Sequence, residues 1–272
     1  MRLSVSTIVW PDAWDPAFYE ILAANDIDHV DIAPTMISKS WEELTPQRLA
    51  AFKSFVSDQG FTIAGMQSLF FNLPEARLFG TPVQRQNFID HLGRLADIAS
   101  QLGATRLVLG SPPNRNRGEM GADEACARFI DYLHPVLESY GDAGLALCLE
   151  ANPEPYGSDF MTDYEQAAAL VSRVGMPGFR INFDTGCCVL GGGDPAQVVD
   201  AHTRLFGHVH VSEPHLKDLS APLVDHQAVA DALARAGYDE VVCLEMRGGD
   251  HPEAALRDSL QKVCDAYRRP GA

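Results

Sequence analysis

Basic residues are scarce in this sequence, and the resulting charge argues against one class of partner. Lysine and arginine together number 21 against 37 aspartate and glutamate residues, which gives a formal net charge of −16. A protein of this sign repels the phosphate backbone of nucleic acids unless a basic groove compensates. Arg115 and Arg117 form only a small basic pair. We therefore expect no nucleic-acid partner.

Long apolar runs and a secretory leader are also missing. No stretch approaches the roughly 18 apolar residues of a membrane span, and the first residues lack a basic segment followed by an apolar one. We expect no membrane partner and a cytoplasmic location. The six cysteines lack zinc-ribbon spacing, which predicts reduced, partly buried thiols. A redox role for the adjacent Cys187 and Cys188 is the alternative.

What the sequence does contain is a regular alternation of strand-like and helix-like segments. The strand-like runs recur at intervals of roughly 25–45 residues, enough for a strand, a helix and two loops. They are Leu3–Val9, His29–Ala33, Thr62–Ser68, Arg106–Gly110, Leu145–Ala151, Phe179–Asp184, Phe206–Ser212 and Val241–Met246. Asp-Pro or Thr-Pro pairs predict where several intervening helices begin, and glycines after apolar-periodic runs predict where helices end.

This alternation predicts the fold class. Strands separated by helices favour a parallel sheet. A doubly wound open sheet is the competing architecture, but the chain has no Gly-x-Gly-x-x-Gly after the first strand and no phosphate-loop lysine motif. The length of 272 residues suits an eightfold barrel. We predict an α/β protein that forms a single (β/α)8 TIM barrel, with one domain spanning residues 1–272.

Several of the predicted strands have one apolar face and one face that ends in a polar residue. Side chains alternate between faces with period two, whereas a strand buried on both faces reads as an almost unbroken apolar run. In Phe206–Ser212 the two histidines and Ser212 share one face, and two valines share the other. If the strands are parallel neighbours, polar residues converge at their carboxyl ends. The converging residues are Glu150, Asp184, His210 and Glu245.

This set offers three carboxylates and one imidazole to a divalent cation. Oxygen-rich ligand sets suit manganese, magnesium or cobalt, and zinc also accepts them. The alternative is that each residue is an isolated buried polar group held by hydrogen bonds. Three carboxylates at neighbouring strand ends would repel one another without a cation, which favours a metal site.

Four short segments resemble the signature motifs of the xylose-isomerase-like barrels. They are Leu149–Pro153 (Leu-Glu-Ala-Asn-Pro), Asn182–Gly186 (Asn-Phe-Asp-Thr-Gly), His208–His210 (His-Val-His) and Leu244–Met246 (Leu-Glu-Met). The family includes sugar phosphate isomerases and epimerases, ketose 3-epimerases, inosose dehydratases and endonuclease IV. The resemblance spans the chain and implies the same barrel with a bound metal ion.

The resemblance to the ketose 3-epimerases also implies roles for individual residues. All four converging residues would bind one divalent cation, Mn²⁺ in the first place, with Mg²⁺, Co²⁺ or Zn²⁺ as alternatives. Glu150 and Glu245 would in addition exchange the substrate proton, while Asp184 and His210 would be chiefly ligands. The implied activity is isomerisation or epimerisation of a small polyhydroxylated ketone, a sugar or sugar phosphate, through a metal-stabilised enediolate.

One position departs from the family pattern. Many members have a substrate-contacting histidine three residues after the aspartate, where this chain has Cys187, and a thiol cannot replace an imidazole. Further substrate contacts are predicted on the metal-site face and on the loops after the strands. They are Gln67, Glu154, His208, His215, Lys217 and Arg247. His208 could instead support the metal ligands or pack in the core, and Arg247 could pair with Asp184 or Glu150.

Other functions are compatible with the same motifs. A dehydratase of an inosose or related keto-polyol would begin with the same proton abstraction and then expel a β-hydroxyl group. A nuclease of the endonuclease IV type needs further histidines, one of which is replaced by Cys187, and an Asp-x-His that is not found. A non-catalytic metal-binding protein would not need both glutamates. Family members are often dimers or tetramers, so we expect a homo-oligomer acting on a small carbohydrate or keto-polyol.

Overall fold

The predicted barrel is present in the computed structural model, which describes residues 1–268. Parallel strands pair in sequence order, and pairing of the last strand with the first closes the barrel. The strands are β1 (Arg2–Ser6), β2 (His29–Ile32), β3 (Thr62–Met66), β4 (Arg106–Leu109), β5 (Ala146–Glu150), β6 (Phe179–Asp184), β7 (Phe206–Val211) and β8 (Val241–Leu244). The predicted α/β class and single (β/α)8 TIM barrel are confirmed.

Helices connect successive strands around the outside of the barrel. They are α1 (Pro16–Ala23), α2 (Pro34–Ile37), α3 (Pro46–Asp58), α4 (Pro82–Leu102), α5 (Pro112–Arg115), α6 (Ala122–Asp142), α7 (Tyr164–Val174), α8 (Thr185–Leu190), α9 (Pro195–His202), α10 (His226–Arg235) and α11 (Pro252–Tyr267). Short 3₁₀ turns occupy Thr7–Val9, Glu154–Tyr156, Thr203–Leu205 and Pro214–Leu216. Among residues 1–268, none of the helices has the length and apolar character needed to cross a membrane.

The helix starts marked by proline are capped as the sequence predicts. The side chains of Asp15, Thr45, Thr81 and Asp194 accept backbone N–H bonds in the first turn of their helices, and proline follows each of them. In α4 the side chain of Gln84 also accepts a hydrogen bond from the N–H of Thr81, which completes a capping box. These caps determine where the preceding loops end.

The first strand is shorter than the sequence suggests. The prediction extends it to Val9, but β1 ends at Ser6 and a 3₁₀ turn follows. The hydroxyl of Ser6 accepts the N–H of Ile8 at 3.3 Å, and such a local bond offers the backbone an alternative to the sheet. Val9 is nevertheless buried in the core, which explains why an apolar strand-like pattern continues beyond the strand.

The apolar faces of the strands pack outward against the helices. Phe183 of β6 meets Tyr164 of α7 with ring centroids 5.1 Å apart, and Phe179 lies 5.4 Å from Phe129 of α6. Because side chains alternate along a strand, the polar residues of the same strands point into the barrel. In this fold the loops at the carboxyl ends of the strands form the active site. The polar ends of β5 to β8 lie beside those loops.

Helix α6 approaches the start of β6 so closely that residue 178 must be glycine. A Cβ atom on Gly178 would collide with the carbonyl oxygen of Leu137 and the backbone nitrogen of Gly141. Neither atom can yield unless the helix moves. We expect Gly178→Ala to lower the free energy of unfolding by about 1–3 kcal/mol, as measured by urea denaturation.

Gly93→Ala is the matched control and should have the opposite sign. Gly93 lies on the exposed side of α4, and a Cβ atom built there meets no other atom within 4 Å. Alanine removes the conformational cost of glycine in a helix and should raise the free energy of unfolding by about 0.5–1 kcal/mol. Equal effects of the two substitutions would contradict the close approach at Gly178.

Candidate active site

Four side chains meet at the carboxyl ends of adjacent strands. Glu150 ends β5, Asp184 ends β6, His210 lies near the end of β7, and Glu245 follows β8. Each contributes one ligand atom to a group whose members all lie within 4.8 Å of one another. Nδ1 of His210 is 3.0 Å from Oε2 of Glu245, 3.7 Å from Oε2 of Glu150 and 3.9 Å from Oδ2 of Asp184. The structure thus brings together the residues singled out by the strand pattern.

Burial and mutual repulsion perturb the protonation of these groups. Burial, followed by the charges of Asp184 and Glu245, raises the pKa of Glu150 to about 8. Burial and the charge of Glu245 raise the pKa of Asp184 to about 6. Burial also opposes ionisation of Glu245, but the nearby His210 outweighs it and lowers the pKa of Glu245. Burial disfavours charged His210, yet the carboxylates raise its pKa to about 10.

The arrangement fits a divalent cation. Both ring nitrogens of His210 are buried, and neither has a hydrogen-bond partner of suitable geometry. Three carboxylates surround Nδ1 of this ring. A cation among them would offset their repulsion and accept the lone pair of the imidazole nitrogen. The cluster is therefore able to hold a metal ion with three oxygen ligands and one nitrogen ligand.

Two amide side chains hold the carboxylate of Glu150. Nδ2 of Asn152 donates a hydrogen bond to Oε1, and Nδ2 of Asn182 donates one to Oε2 at 2.7 Å. Each carboxylate oxygen has a further lone pair that these bonds do not use. The amides therefore orient Glu150 without preventing it from binding a cation or accepting a proton.

A buried arginine supports the same region from behind. Arg115 is fully buried and donates to the backbone carbonyl of Glu150 at 2.8 Å and to Oδ1 of Asn152 at 2.6 Å. It also donates to the carbonyls of Gly110 and Phe160. Burial lowers the pKa of Arg115 to about 10, so the guanidinium stays charged at neutral pH. The charged guanidinium of Arg115 thus links the loop after β4 to the loop after β5.

The other two carboxylates are also held by hydrogen bonds. Oδ1 of Asp184 accepts from the hydroxyl of Ser212 at 2.8 Å and from the backbone N–H of Cys187 at 2.6 Å. Glu245 accepts a hydrogen bond from Nε2 of Gln67, a buried side chain that follows β3. Hydrogen bonds from outside the ligand set orient metal ligands and adjust their affinity.

Cys187 occupies the position where many members of the resembled family have a histidine. Its thiol is buried, and Sγ lies 3.7 Å from Nδ2 of Asn152. Burial, followed by the charges of Asp184 and Glu150, raises the pKa of Cys187 well above its usual range. Neither Cys187 nor Cys188 forms a disulfide. The position therefore supplies a neutral thiol, which is a weak hydrogen-bonding group.

A cleft of about 990 Å³ opens onto the cluster, and its lining includes Glu150, Asp184 and Glu245. Aromatic rings of Phe70 and Tyr156 contribute to its walls. A cavity of this size with a few convergent polar groups is typical of small-molecule sites. The cluster is thus accessible to a small ligand from the side of the strand ends.

The predicted substrate contacts lie at different distances from this cleft. Gln67, His215 and Arg247 belong to its lining. Glu154 and Lys217 are exposed and lie outside it, along other surface depressions. These two side chains therefore do not line the cleft, which spacing along the chain could not indicate.

His208 lies deeper in the barrel and is fully buried, outside the cleft lining. Its Nε2 is 2.8 Å from Oδ2 of Asp31, and its ring is edge-on to His210 with centroids 5.1 Å apart. Arg247 is exposed and forms no ion pair with the clustered carboxylates; its backbone N–H donates to the carbonyl of Leu216. The alternative pairing considered for Arg247 is therefore not observed.

Some residues of the site had no role assigned from sequence. Asn152 and Asn182 each lie two residues from a clustered carboxylate, so the period-two pattern places them on the correct face. Ser212 is on the polar face of β7 for the same reason. Arg115 stands out only as part of a small basic pair, and nothing in its local sequence indicates that it is buried.

Comparison with known proteins identifies relatives along most of the chain. The model of the family described as Xylose isomerase-like TIM barrel matches residues 19–266. A protein of Streptomyces coelicolor, provisionally named hydroxypyruvate isomerase, is 30% identical over 226 residues, which are 77% of this chain and 78% of that protein. A protein of Xenopus laevis with the same provisional name is 25% identical over 183 residues, 64% of this chain and 65% of that protein.

Solved structures of epimerases share the fold. D-psicose 3-epimerase from Clostridium cellulolyticum superposes with a TM-score of 0.79 at 16% identity, and the match covers 98% of each chain. The 3-keto-D-glucoside 4-epimerase of E. coli gives a TM-score of 0.79 at 15% identity and covers 97% of this chain and 99% of that one. At such identities the likeness concerns the fold alone.

The named relatives are isomerases, and these structural neighbours are epimerases, so the chain is consistent with an enzyme of this class. The family match extends over nearly all the described residues and includes every strand from β2 to β8. This protein belongs to the xylose isomerase-like TIM barrel family.

Proposed function

We propose that this protein is a divalent-metal-dependent isomerase or epimerase of a small hydroxy ketone, in which Glu150 and Glu245 move the substrate proton. The observation that carries the proposal is that both glutamates approach the same buried imidazole and both line an open cleft. A purely structural cation site would not need to face a cleft. The paired carboxylates are suited to removing a proton and returning one.

The ligand set favours a hard or borderline cation. Glu150, Asp184, His210 and Glu245 would hold it, with Mn²⁺ the first choice and Mg²⁺, Co²⁺ or Zn²⁺ as alternatives. When bound, the cation polarises the substrate carbonyl and stabilises the negative charge that develops as the neighbouring carbon loses its proton.

The side chains of the protein then account for the proton movement. One glutamate removes the proton from the carbon beside the carbonyl. The other returns a proton to the opposite face, which gives epimerisation, or to the adjacent carbon, which gives isomerisation. Asn152, Asn182 and Gln67 keep the two carboxylates oriented through their hydrogen bonds. This orientation matters because a positioned acid or base supplies typically about 10²–10⁴-fold in rate.

Hydroxypyruvate is the first substrate to test, beside small ketoses, because the two relatives carry its name. It is a hydroxy-keto acid, so its isomerisation requires the same proton transfer between adjacent carbons. The cleft lining includes two basic side chains, Arg77 and Arg247. In a chain with a net charge of −16, two arginines at one cleft suit a carboxylate or a phosphate group.

Deuterium exchange tests the proton-transfer role of the glutamates. Manganese-loaded protein in D₂O should introduce deuterium next to the carbonyl of hydroxypyruvate or of a ketose in a small panel, as followed by NMR. Glu150→Gln and Glu245→Gln should each slow this exchange by about 10²–10⁴-fold, because each removes a positioned acid or base.

The controls separate proton transfer from metal loss. Glu138→Gln, on the exposed side of α6, should exchange like the wild type. The manganese content of every variant is measured in parallel, since both glutamates are also proposed ligands. A product lighter by one water would indicate a dehydratase. Absence of exchange across the panel, with the protein folded and loaded with manganese, would refute the proposed function.

Arg247→Ala tests recognition of an acidic substrate. We expect KM for hydroxypyruvate to rise by about tenfold, the lower end of the range for hydrogen bonds to charged groups, because the side chain is exposed. KM for an uncharged ketose should stay unchanged, and kcat should change little for either substrate. Steady-state kinetics with both substrates provide the measurement. An equal rise of KM for the uncharged ketose would contradict a carboxylate contact.

The perturbed pKa values predict how the stability of the metal-free protein depends on pH. Folded protein retains the proton of Glu150 from its ordinary pKa of 4.5 up to about 8, whereas the unfolded chain releases it. His210 likewise stays protonated from its ordinary pKa of 6.5 up to about 10. The folded state therefore binds more protons than the unfolded state in this window. The free energy of unfolding should fall as pH rises from about 5 to 8.

Urea denaturation at several pH values measures this dependence. Manganese binds the deprotonated carboxylates, so it should stabilise the protein most near pH 8. The free energy of unfolding should therefore depend less on pH when manganese is present. Glu150→Gln, which has no ionisable group at this position, should show a shallower fall than the wild type. A stability that increases across this window would contradict the assigned protonation states.

A further inference from the structure

A second group of metal-binding side chains lies inside the barrel, deeper than the carboxylate cluster. It consists of Asp31 from β2, His208 and His210 from β7, and Cys243 from β8. Ligand atoms from all four lie within 4.8 Å of one another, and all four residues are fully buried. We call this group the inner cluster. None of its residues lines the cleft.

The polar atoms of the inner cluster are close together but do not satisfy one another. Nε2 of His208 is 2.8 Å from Oδ2 of Asp31, yet the contact lacks hydrogen-bond geometry and both atoms have no other partner. Nδ1 of His208 and Nε2 of His210 are likewise buried without partners. Buried polar groups in folded proteins are almost always paired. This accumulation of unpaired donors and acceptors in one place requires an explanation.

The carboxylate cluster, the proposed site of the first cation, also contains a buried nitrogen atom without a hydrogen-bond partner. There, Nδ1 of His210 lies 3.0 Å from Oε2 of Glu245 and also lacks hydrogen-bond geometry. Ligand atoms of a metal site approach one another because they face a common point, and not because they bond to each other. In the inner cluster, the nitrogen atoms without a close partner are Nδ1 of His208 and Nε2 of His210, while Nε2 of His208 lies at ion-pair distance from Asp31.

The backbone makes room for the inner cluster. A Cβ atom on Gly65, the residue paired with Asp31 across β2 and β3, would collide with Oδ2 of Asp31. The other carboxylate oxygen, Oδ1, accepts the hydroxyl of Ser4 at 2.6 Å, which fixes the orientation of the carboxylate. The register between β2 and β3 shifts immediately before Asp31. The register between β6 and β7 shifts immediately before the pair formed by Asn182 and His208. Such irregularities re-aim side chains.

We propose that Asp31, His208, His210 and Cys243 form a second divalent-cation site. Zinc is the cation that this set of ligand atoms fits. The site would take one carboxylate oxygen, two imidazole nitrogens and one thiolate, a combination typical of tetrahedral zinc. His210 would use Nε2 here and Nδ1 toward the carboxylates, so with both sites filled its ring would lose its remaining N–H proton and bridge the two cations. Because the inner cluster does not open onto the cleft, its cation would have a structural role. The cation would bind as the barrel folds.

Charge considerations support this assignment. An aspartate and a thiolate together carry two negative charges, which a divalent cation neutralises while His208 stays an uncharged ligand. His210 would bridge the two cations as an imidazolate and share its negative charge between them. Without a cation, an aspartate must remain buried beside two imidazoles whose nitrogens are unpaired, which costs free energy. The competing interpretation is a buried ion pair between Asp31 and protonated His208, with Cys243 as a bystander.

Cobalt binding distinguishes the two interpretations. The full chain is stripped of metal with a chelator, unfolded in guanidinium chloride, refolded with Co²⁺ and freed of excess cobalt. We expect two equivalents of bound cobalt and a thiolate-to-cobalt charge-transfer band in the near ultraviolet. The carboxylate cluster contains no thiolate ligand, so the band reports on the inner site alone.

Matched cysteine variants assign the band. Cys243→Ser should lose both the band and one equivalent of cobalt. Cys148→Ser, a change at another fully buried strand cysteine outside both clusters, should retain both, as should Cys187→Ser at the cleft. If Cys243→Ser fails to refold, the wild-type spectrum and stoichiometry decide alone. One equivalent of cobalt without a charge-transfer band in the wild type, or a band that persists in Cys243→Ser, would overturn the proposal.

Discussion

Repulsion among three buried carboxylates is the constraint on which the rest of this site depends. Glu150 and Asp184 end β5 and β6, Glu245 follows β8, and the three carboxylates surround the imidazole of His210 on β7. Hydrogen bonds from side-chain amides, a hydroxyl and a backbone N–H hold the carboxylates in place, but they do not remove the repulsion. The raised pKa values of Glu150 and Asp184 express the remaining cost. A divalent cation would resolve the conflict, so in the proposed function the metal belongs to the architecture as well as to the chemistry.

The barrel produces this arrangement through the period of its strands. Residues two apart on one strand share a face, so the same backbone places an aromatic or aliphatic side chain against the helices and a polar one toward the barrel axis. In β7 this alternation places His208 beneath His210, with the two rings edge-on. The histidine that faces the carboxylates is therefore supported by a second polar layer and not by an apolar core.

The sequence was sufficient for the features that local rules govern. Strand order, the proline-marked helix starts and the convergence of Glu150 with Asp184 follow from periodicity and from the parallel direction of the strands. The burial of Arg115 could not be foreseen, because its acceptors lie on loops remote in the chain, such as the carbonyl of Phe160. The loop residues Glu154 and Lys217 follow the strands of the clustered residues, yet they do not line the cleft, and spacing along the chain carries no information about loop conformation.

The residues around the cleft differ in how freely they can change, because Arg115 binds some of them and not others. Its single guanidinium binds carbonyls after β4 and β5, so a substitution there would disturb Asn152 and, through it, Glu150. Arg77, His215 and Arg247, on the loops after β3, β7 and β8, are exposed and receive no bond from Arg115. Under the proposed function, descendants of this protein can therefore acquire new substrates by altering these exposed residues, while the proposed proton-transfer groups are kept.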